Sequence, residues 1–103
     1  MRPAPFAHFV AYTRPRTFLI TFVFVTTGYA LAPHDGDPFE TAIDLAFLLV
    51  VYSVLLWGGA NAFNSSQDRD EGPVNLLPDP PPLPRGLAAF GLALHAAAVA
   101  LAL

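Results

Sequence analysis

Three apolar runs separated by polar turns set the plan of this chain. Residues 17–34, 45–67 and 86–103 contain no Asp, Glu, Lys or Arg, and each approaches or exceeds the ~18 residues that a membrane-spanning helix requires. The apolar part of the first run, 17–32, spans only ~24 Å at ~1.5 Å per residue, so it must thin the bilayer locally or borrow flanking residues. Pro33-His34-Asp35-Gly36-Asp37-Pro38 is a dense turn cluster after it. The second run predicts a helix from about Thr41 that continues past the membrane edge to about Glu71, where Gly72-Pro73 stops it. The expected fold is therefore an all-α membrane protein with three transmembrane helices. Its parts are an N-terminal segment 1–16, helices at 17–32, 41–71 and 86–103, a loop at 33–40 and a proline-rich loop at 72–85.

The flanks add detail. Phe6, Phe9, Val10 and Thr13 recur at i, i+3, i+4 and i+7, which predicts a short interfacial helix; a disordered tail with incidental aromatics is the alternative. Pro15, pre-set in φ, suits a helix start. Pro73, Pro78, Pro80, Pro81, Pro82 and Pro84 are six of the eleven prolines, so polyproline II is the default backbone of that loop. Such a segment is either a stiff connector or a docking ligand for an aromatic groove. The last run reaches Leu103 without a polar flank or an aromatic belt, so the chain is expected to be a fragment of something longer. His95, in the middle of that run, is either a neutral histidine bonded to a backbone carbonyl or an intramembrane ligand or proton relay.

Composition agrees with the hydropathy. Only 13% of residues are charged, 54% are hydrophobic and the mean hydropathy is +0.50; a soluble domain carries about twice that charged fraction. The net charge of −3 says little, but its placement says more. All positive residues are arginines: Arg2, Arg14 and Arg16 before the first run, Arg69 and Arg85 between the second and third. The 33–40 turn and its end carry Asp35, Asp37, Glu40 and Asp44 instead. By the positive-inside rule, the N-terminus and the 68–85 loop are expected in the cytoplasm and the acidic turn outside. A signal-peptide reading (Arg14 and Arg16, then Ala30-Leu31-Ala32) competes for the first run. Thirteen residues precede those arginines and two more apolar runs follow, which is the wrong anatomy for it. There is no cysteine, so disulfide and thiolate chemistry are excluded.

The candidate chemistry lies at the end of the second run. Asn61, Asn64, Asp68 and Glu71 are spaced by three, four and three, which at ~100° per residue places them on one stripe of a continuing helix. Their oxygens are hard ligands suited to Mg²⁺, which commonly links one or two carboxylates to phosphate oxygens. Zinc is unsuited, with no Cys and no His at ligand spacing nearby. A magnesium-bound diphosphate at the mouth of a bundle fits the stripe. Asn61 and Asn64 as interhelical hydrogen-bond partners, with 68–71 a solvated helix end, fit it too. Trp57, four residues before Asn61, falls on the same face and could wall a cavity. Asp70 points away, toward Arg69, Arg85 or water.

Arg14-Pro15-Arg16-Thr17 entering the first run, followed by Asn64-Ser65-Ser66-Gln67-Asp68-Arg69-Asp70-Glu71-Gly72-Pro73 after the second, resembles the UbiA superfamily of intramembrane prenyltransferases. Asn64 and Asp68 match the first two positions of that family's N-x-x-x-D-x-x-x-D motif. The third falls on Gly72, so Glu71 or Asp70 must substitute, and Glu71 stays on the stripe. The family has an Arg-Pro-containing segment where Pro80-Pro81-Pro82-Leu83-Pro84-Arg85 stands, which leaves a phosphate role for Arg85 open.

The resemblance covers about the first third of a bundle of about nine spans. It implies Mg²⁺ as cofactor, held by Asn64, Asp68 and Glu71, with Asn61 orienting them. It also implies a polyprenyl diphosphate donor, a lipophilic and often aromatic acceptor, the remaining helices of the bundle as partners, and no nucleic acid. A bacterial or archaeal plasma membrane is the expected location, and the 103-residue chain alone is expected to be inactive. The alternative is a small helical membrane subunit or assembly factor. A transporter fragment would need broken helices or inverted repeats, and the sequence has neither.

Overall fold

A computed structural model describes residues 4–33, 35–68 and 80–103, and these are all-helical, with no strand among them. The aromatic pattern near the N-terminus does form a helix, α1 (Phe6–Tyr12). Part of its face meets protein: Phe6 and Phe9 contact Phe90 edge-on, with ring centroids 6.0 and 5.3 Å apart, while Phe6 and Val10 stay exposed. Tyr12 is buried against Ala62 and Leu87, and its hydroxyl donates to the Pro81 carbonyl.

The helical path breaks at Arg14-Pro15. Proline disfavours the right-handed helical region for the residue before it, so α1 ends, and Arg14 takes φ 55°, the only positive φ on a non-glycine residue among those described. A left-handed arginine costs on the order of 1–3 kcal/mol, so it has to be held. Thr17 holds it twice: its backbone N–H reaches the Arg14 carbonyl at 2.9 Å and its hydroxyl donates to the same oxygen at 2.7 Å. The 3₁₀ turn Pro15–Thr17 then feeds α2 (Phe18–Leu31). At 14 residues α2 is ~21 Å long, shorter than the ~30 Å hydrocarbon core of a bilayer.

The long helix α3 (Pro38–Asp68) has 31 residues. It begins three residues before the expected Thr41, because the turn cluster ends in its own start signal. Pro38 occupies the first turn and the Asp37 side chain accepts from the Glu40 N–H at 2.8 Å. The loop before it is correspondingly shorter than 33–40. At ~1.5 Å per residue α3 is ~46 Å long. It is the one described helix long and apolar enough to cross a membrane. Only 11% of its most apolar window is buried in protein, unlike the core helix of a water-soluble fold. Arg69, Asp70, Glu71 and the Gly72-Pro73 stop lie outside the described residues.

Val50–Trp57, in the middle of α3, is wound as a π-helix, which the hydropathy pattern did not predict. A stretch of i→i+5 pairing interrupts the regular ladder and often occurs at functional positions. His95 meets its far end, with Nε2 2.9 Å from the Leu56 carbonyl. A carbonyl only accepts, so Nε2 carries the hydrogen, matching the backbone-bonded histidine of the two sequence readings.

The last helix, α4 (Leu87–Ala102), has 16 residues, ~24 Å, and follows Gly86 at φ 81°. It packs on α3 at a glycine pair. A Cβ on Gly91 would lie 2.7 Å from the Gly59 carbonyl, and one on Gly59 would lie 2.8 Å from the Gly91 carbonyl. Bare backbones therefore touch, the close approach that small residues allow between helices.

Candidate functional site

The site is built where the 13–17 turn meets the C-terminal third of α3. Gly58 makes the approach possible, since a Cβ there would stand 3.1 Å from the Thr13 Cβ and 3.2 Å from the Phe18 ring. Ala62 and Ser65 are fully buried on the same side. Arg14 reaches across to donate from Nη2 to the Ser65 hydroxyl at 2.8 Å.

Asn61 is 9% exposed and turned inward. Its Nδ2 donates to the Thr13 carbonyl at 2.9 Å and to the Thr17 hydroxyl at 3.2 Å. Because a backbone carbonyl only accepts, the amide can be oriented in one way. Both N–H groups are committed inside the chain, and Oδ1 is the atom left to accept from, or ligate, something else. Trp57, one turn earlier, donates from Nε1 to the same Thr17 hydroxyl at 2.7 Å.

Asn64 and Asp68 are exposed. The helical wheel explains the split: with Asn61 at zero, Ser65, Gly58 and Ala62 fall at about +40°, +60° and +100°, while Asp68 and Asn64 fall at about −20° and −60°. The stripe thus straddles the edge of the packed face, Asn61 just inside it and the other two just outside. Glu71, the outlying acid of the expected set, lies outside the described residues, as does Asp70. Among the described residues no three His, Cys, Asp or Glu side chains gather into a metal cluster. Asp68 is the one carboxylate of the expected set described. The donors present (two amide oxygens and a carboxylate) are hard and suit Mg²⁺ in kind.

An apolar cavity of about 330 Å³ adjoins this edge, lined by Thr21, Phe24, Tyr52, Leu56, Trp57 and Ala60. It lies between α2 and α3, and the π-helical stretch supplies Tyr52, Leu56 and Trp57 to it. Trp57 therefore walls a cavity, as its position one turn from Asn61 suggested. Arg85 stands elsewhere, in a polar cleft of about 530 Å³ with Ser66, Gln67, Pro84 and Leu87. Ser66 falls about 160° from Asn64 and Asp68 on the wheel, and none of the stripe lines that cleft, so Arg85 does not join the stripe.

Sequence reasoning missed Thr13, Thr17 and Ser65. A signal was available: Asn61 and Ser65 sit at i, i+4 on one side of the helix with Gly58 and Ala62, and buried polar groups need partners. The polar residues entering the first apolar run, Thr13 to Thr17, were the candidates.

Comparison of the chain with family models, with curated proteins and with solved structures finds no match.

Proposed function

We propose that the chain is the N-terminal part of an intramembrane prenyltransferase of the UbiA type, with α2, α3 and α4 as its first three spans. The observation that carries the reading is a junction of two chemistries on one helix. An apolar cavity walled by Trp57 lies one turn before Asn61 on α3, and Asn64 and Asp68 follow within the next two turns. That order, hydrocarbon then hard oxygens, matches an amphiphile with a prenyl tail and a diphosphate head. Asn61 presents its oxygen at the border, Asn64 and Asp68 supply ligands beyond it, and Glu71 completes the set. Magnesium, when bound, neutralises charge developing on the departing diphosphate. The arginine bias puts this end of α3 in the cytoplasm and the Asp37 end outside. The acceptor is lipophilic, and these 103 residues by themselves are expected to be inactive, since the resembled family carries a second aspartate-rich motif that is not among them.

A specific observation also favours the assembly-factor reading. Both N–H groups of Asn61 act as contacts between segments of the chain, as a purely structural asparagine would. Asp68→Ala discriminates, because Asp68 is exposed. Titration of the chain in nanodiscs with a prenyl diphosphate, with and without Mg²⁺, should show magnesium-dependent binding. Asp68→Ala should weaken it at least about tenfold, the size of effect seen when support of a metal site is removed, with helicity unchanged. Binding indifferent to Mg²⁺ and to Asp68 would leave the assembly role as the better account.

A further inference from the structure

Thr17 occupies an unusual position in this site. It is 3% exposed, and its hydroxyl makes every hydrogen bond a hydroxyl can make: one donated, two accepted. It donates to the Arg14 carbonyl at 2.7 Å, accepts from the Trp57 indole at 2.7 Å and accepts from the Asn61 amide at 3.2 Å. Nothing is left for water or ligand, so Thr17 is not itself a binding group. The two donors it collects are one helical turn apart on α3. One walls the apolar cavity; the other stands at the polar edge.

We infer that Thr17 is a positioning residue that sets the Trp57 ring and the Asn61 amide together, so that the cavity wall and the oxygen beside it are fixed by one hydroxyl. Packing alone does not fix Trp57, because 42% of its surface is exposed; its tether is the bond from Nε1. The Asn61 amide is held by two acceptors, and removing the Thr17 hydroxyl leaves it on the Thr13 carbonyl alone, so Oδ1 is aimed less narrowly. The 3₁₀ turn explains why position 17 can do this. The same hydroxyl that closes back onto Arg14 is oriented by that bond, leaving both lone pairs toward α3. What the pair then binds rests on the functional reading above; the joint itself does not.

The chain contains one tryptophan, so a ¹⁵N spectrum of the full chain in nanodiscs has one indole N–H signal. In the parent protein that signal should lie downfield and exchange slowly with water. Thr17→Val keeps the shape and removes the hydroxyl. It should move the indole signal upfield, speed its exchange about tenfold, and shift the Asn61 side-chain amide pair. Thr17→Ser should restore all three. Trp57→Phe, which leaves Thr17 intact, should shift the Asn61 pair alone, because the shared acceptor loses a competitor; this arm holds even if Thr17→Val does not fold. An indole signal unmoved by Thr17→Val, a Thr17→Ser spectrum as perturbed as that of Thr17→Val, or Asn61 signals blind to Trp57→Phe would each overturn the inference. None of these readouts requires diphosphate binding, so a failure here is distinct from a failure of the enzymatic reading.

Discussion

Gly91→Leu should detach α4 from α3 and lower the thermal midpoint of the chain in micelles more than any other single substitution. The reason is that the obstacle is backbone. A Cβ at Gly91 would lie 2.7 Å from the Gly59 carbonyl and 3.0 Å from the Phe63 N–H nitrogen, and neither atom can rotate away as a side chain could. Overpacking a tight contact costs on the order of 1–3 kcal/mol, occasionally more, and a leucine carries three further carbons into the same gap. Separation would also pull His95 from the Leu56 carbonyl, exposing the end of the π-helical stretch. Gly28→Ala is the control. Nothing lies within 4 Å of a Cβ there, so replacing a mid-helix glycine should be neutral or stabilising by up to about 1 kcal/mol. Circular dichroism melts of the two variants check the contrast; equal melts would mean that the glycine pair is not a close contact.

The second large effect is expected at Asn61. Asn61→Leu keeps the volume but leaves the buried Thr13 carbonyl without its donor. An orphaned buried acceptor costs about 1–3 kcal/mol; measured interhelical bonds within membranes average nearer ~0.6. Asn61 and Thr13 are both buried and the partner is a backbone carbonyl, so the upper range is the better guide. Asn61→Asp should be worse, because it aims carboxylate oxygen at the Thr13 carbonyl. A fall in unfolding midpoint ordered Asp below Leu below the parent would confirm an inward, donating asparagine. The reverse order would mean that the side chain faces outward.

Much of this arrangement was legible in the sequence. Charge-free runs and turn clusters locate α2, α3 and α4 to within a few residues, because caps and prolines act locally. The α1 helix was one of two readings that the spacing of Phe6 and Phe9 left open. The π-helix was not legible: every residue of Val50–Trp57 except Ser53 is apolar or aromatic, so a change in winding leaves no hydropathic mark. The division of the stripe was hidden for a different reason. Spacing shows that Asn61, Asn64 and Asp68 share a side of α3, but which part of that side is covered depends on where α1, α2 and α4 land. The Gly58 approach to Thr13 places that boundary between Asn61 and its two neighbours. Thr17 escaped notice because its role depends on a hydroxyl meeting two donors from a distant segment.

The claim that a metal-held diphosphate sits at the polar end of α3 is tested most directly by Mn²⁺, which accepts the same oxygen ligands as Mg²⁺ and broadens nearby nuclear resonances. With inorganic pyrophosphate present, Mn²⁺ should broaden the side-chain amide signals of Asn64 and Asn61 first, and Asp68→Ala should abolish that effect. Broadening that ignores pyrophosphate, or that concentrates on the Asp35, Asp37 and Glu40 turn and spares Asn61 and Asn64, would contradict the account.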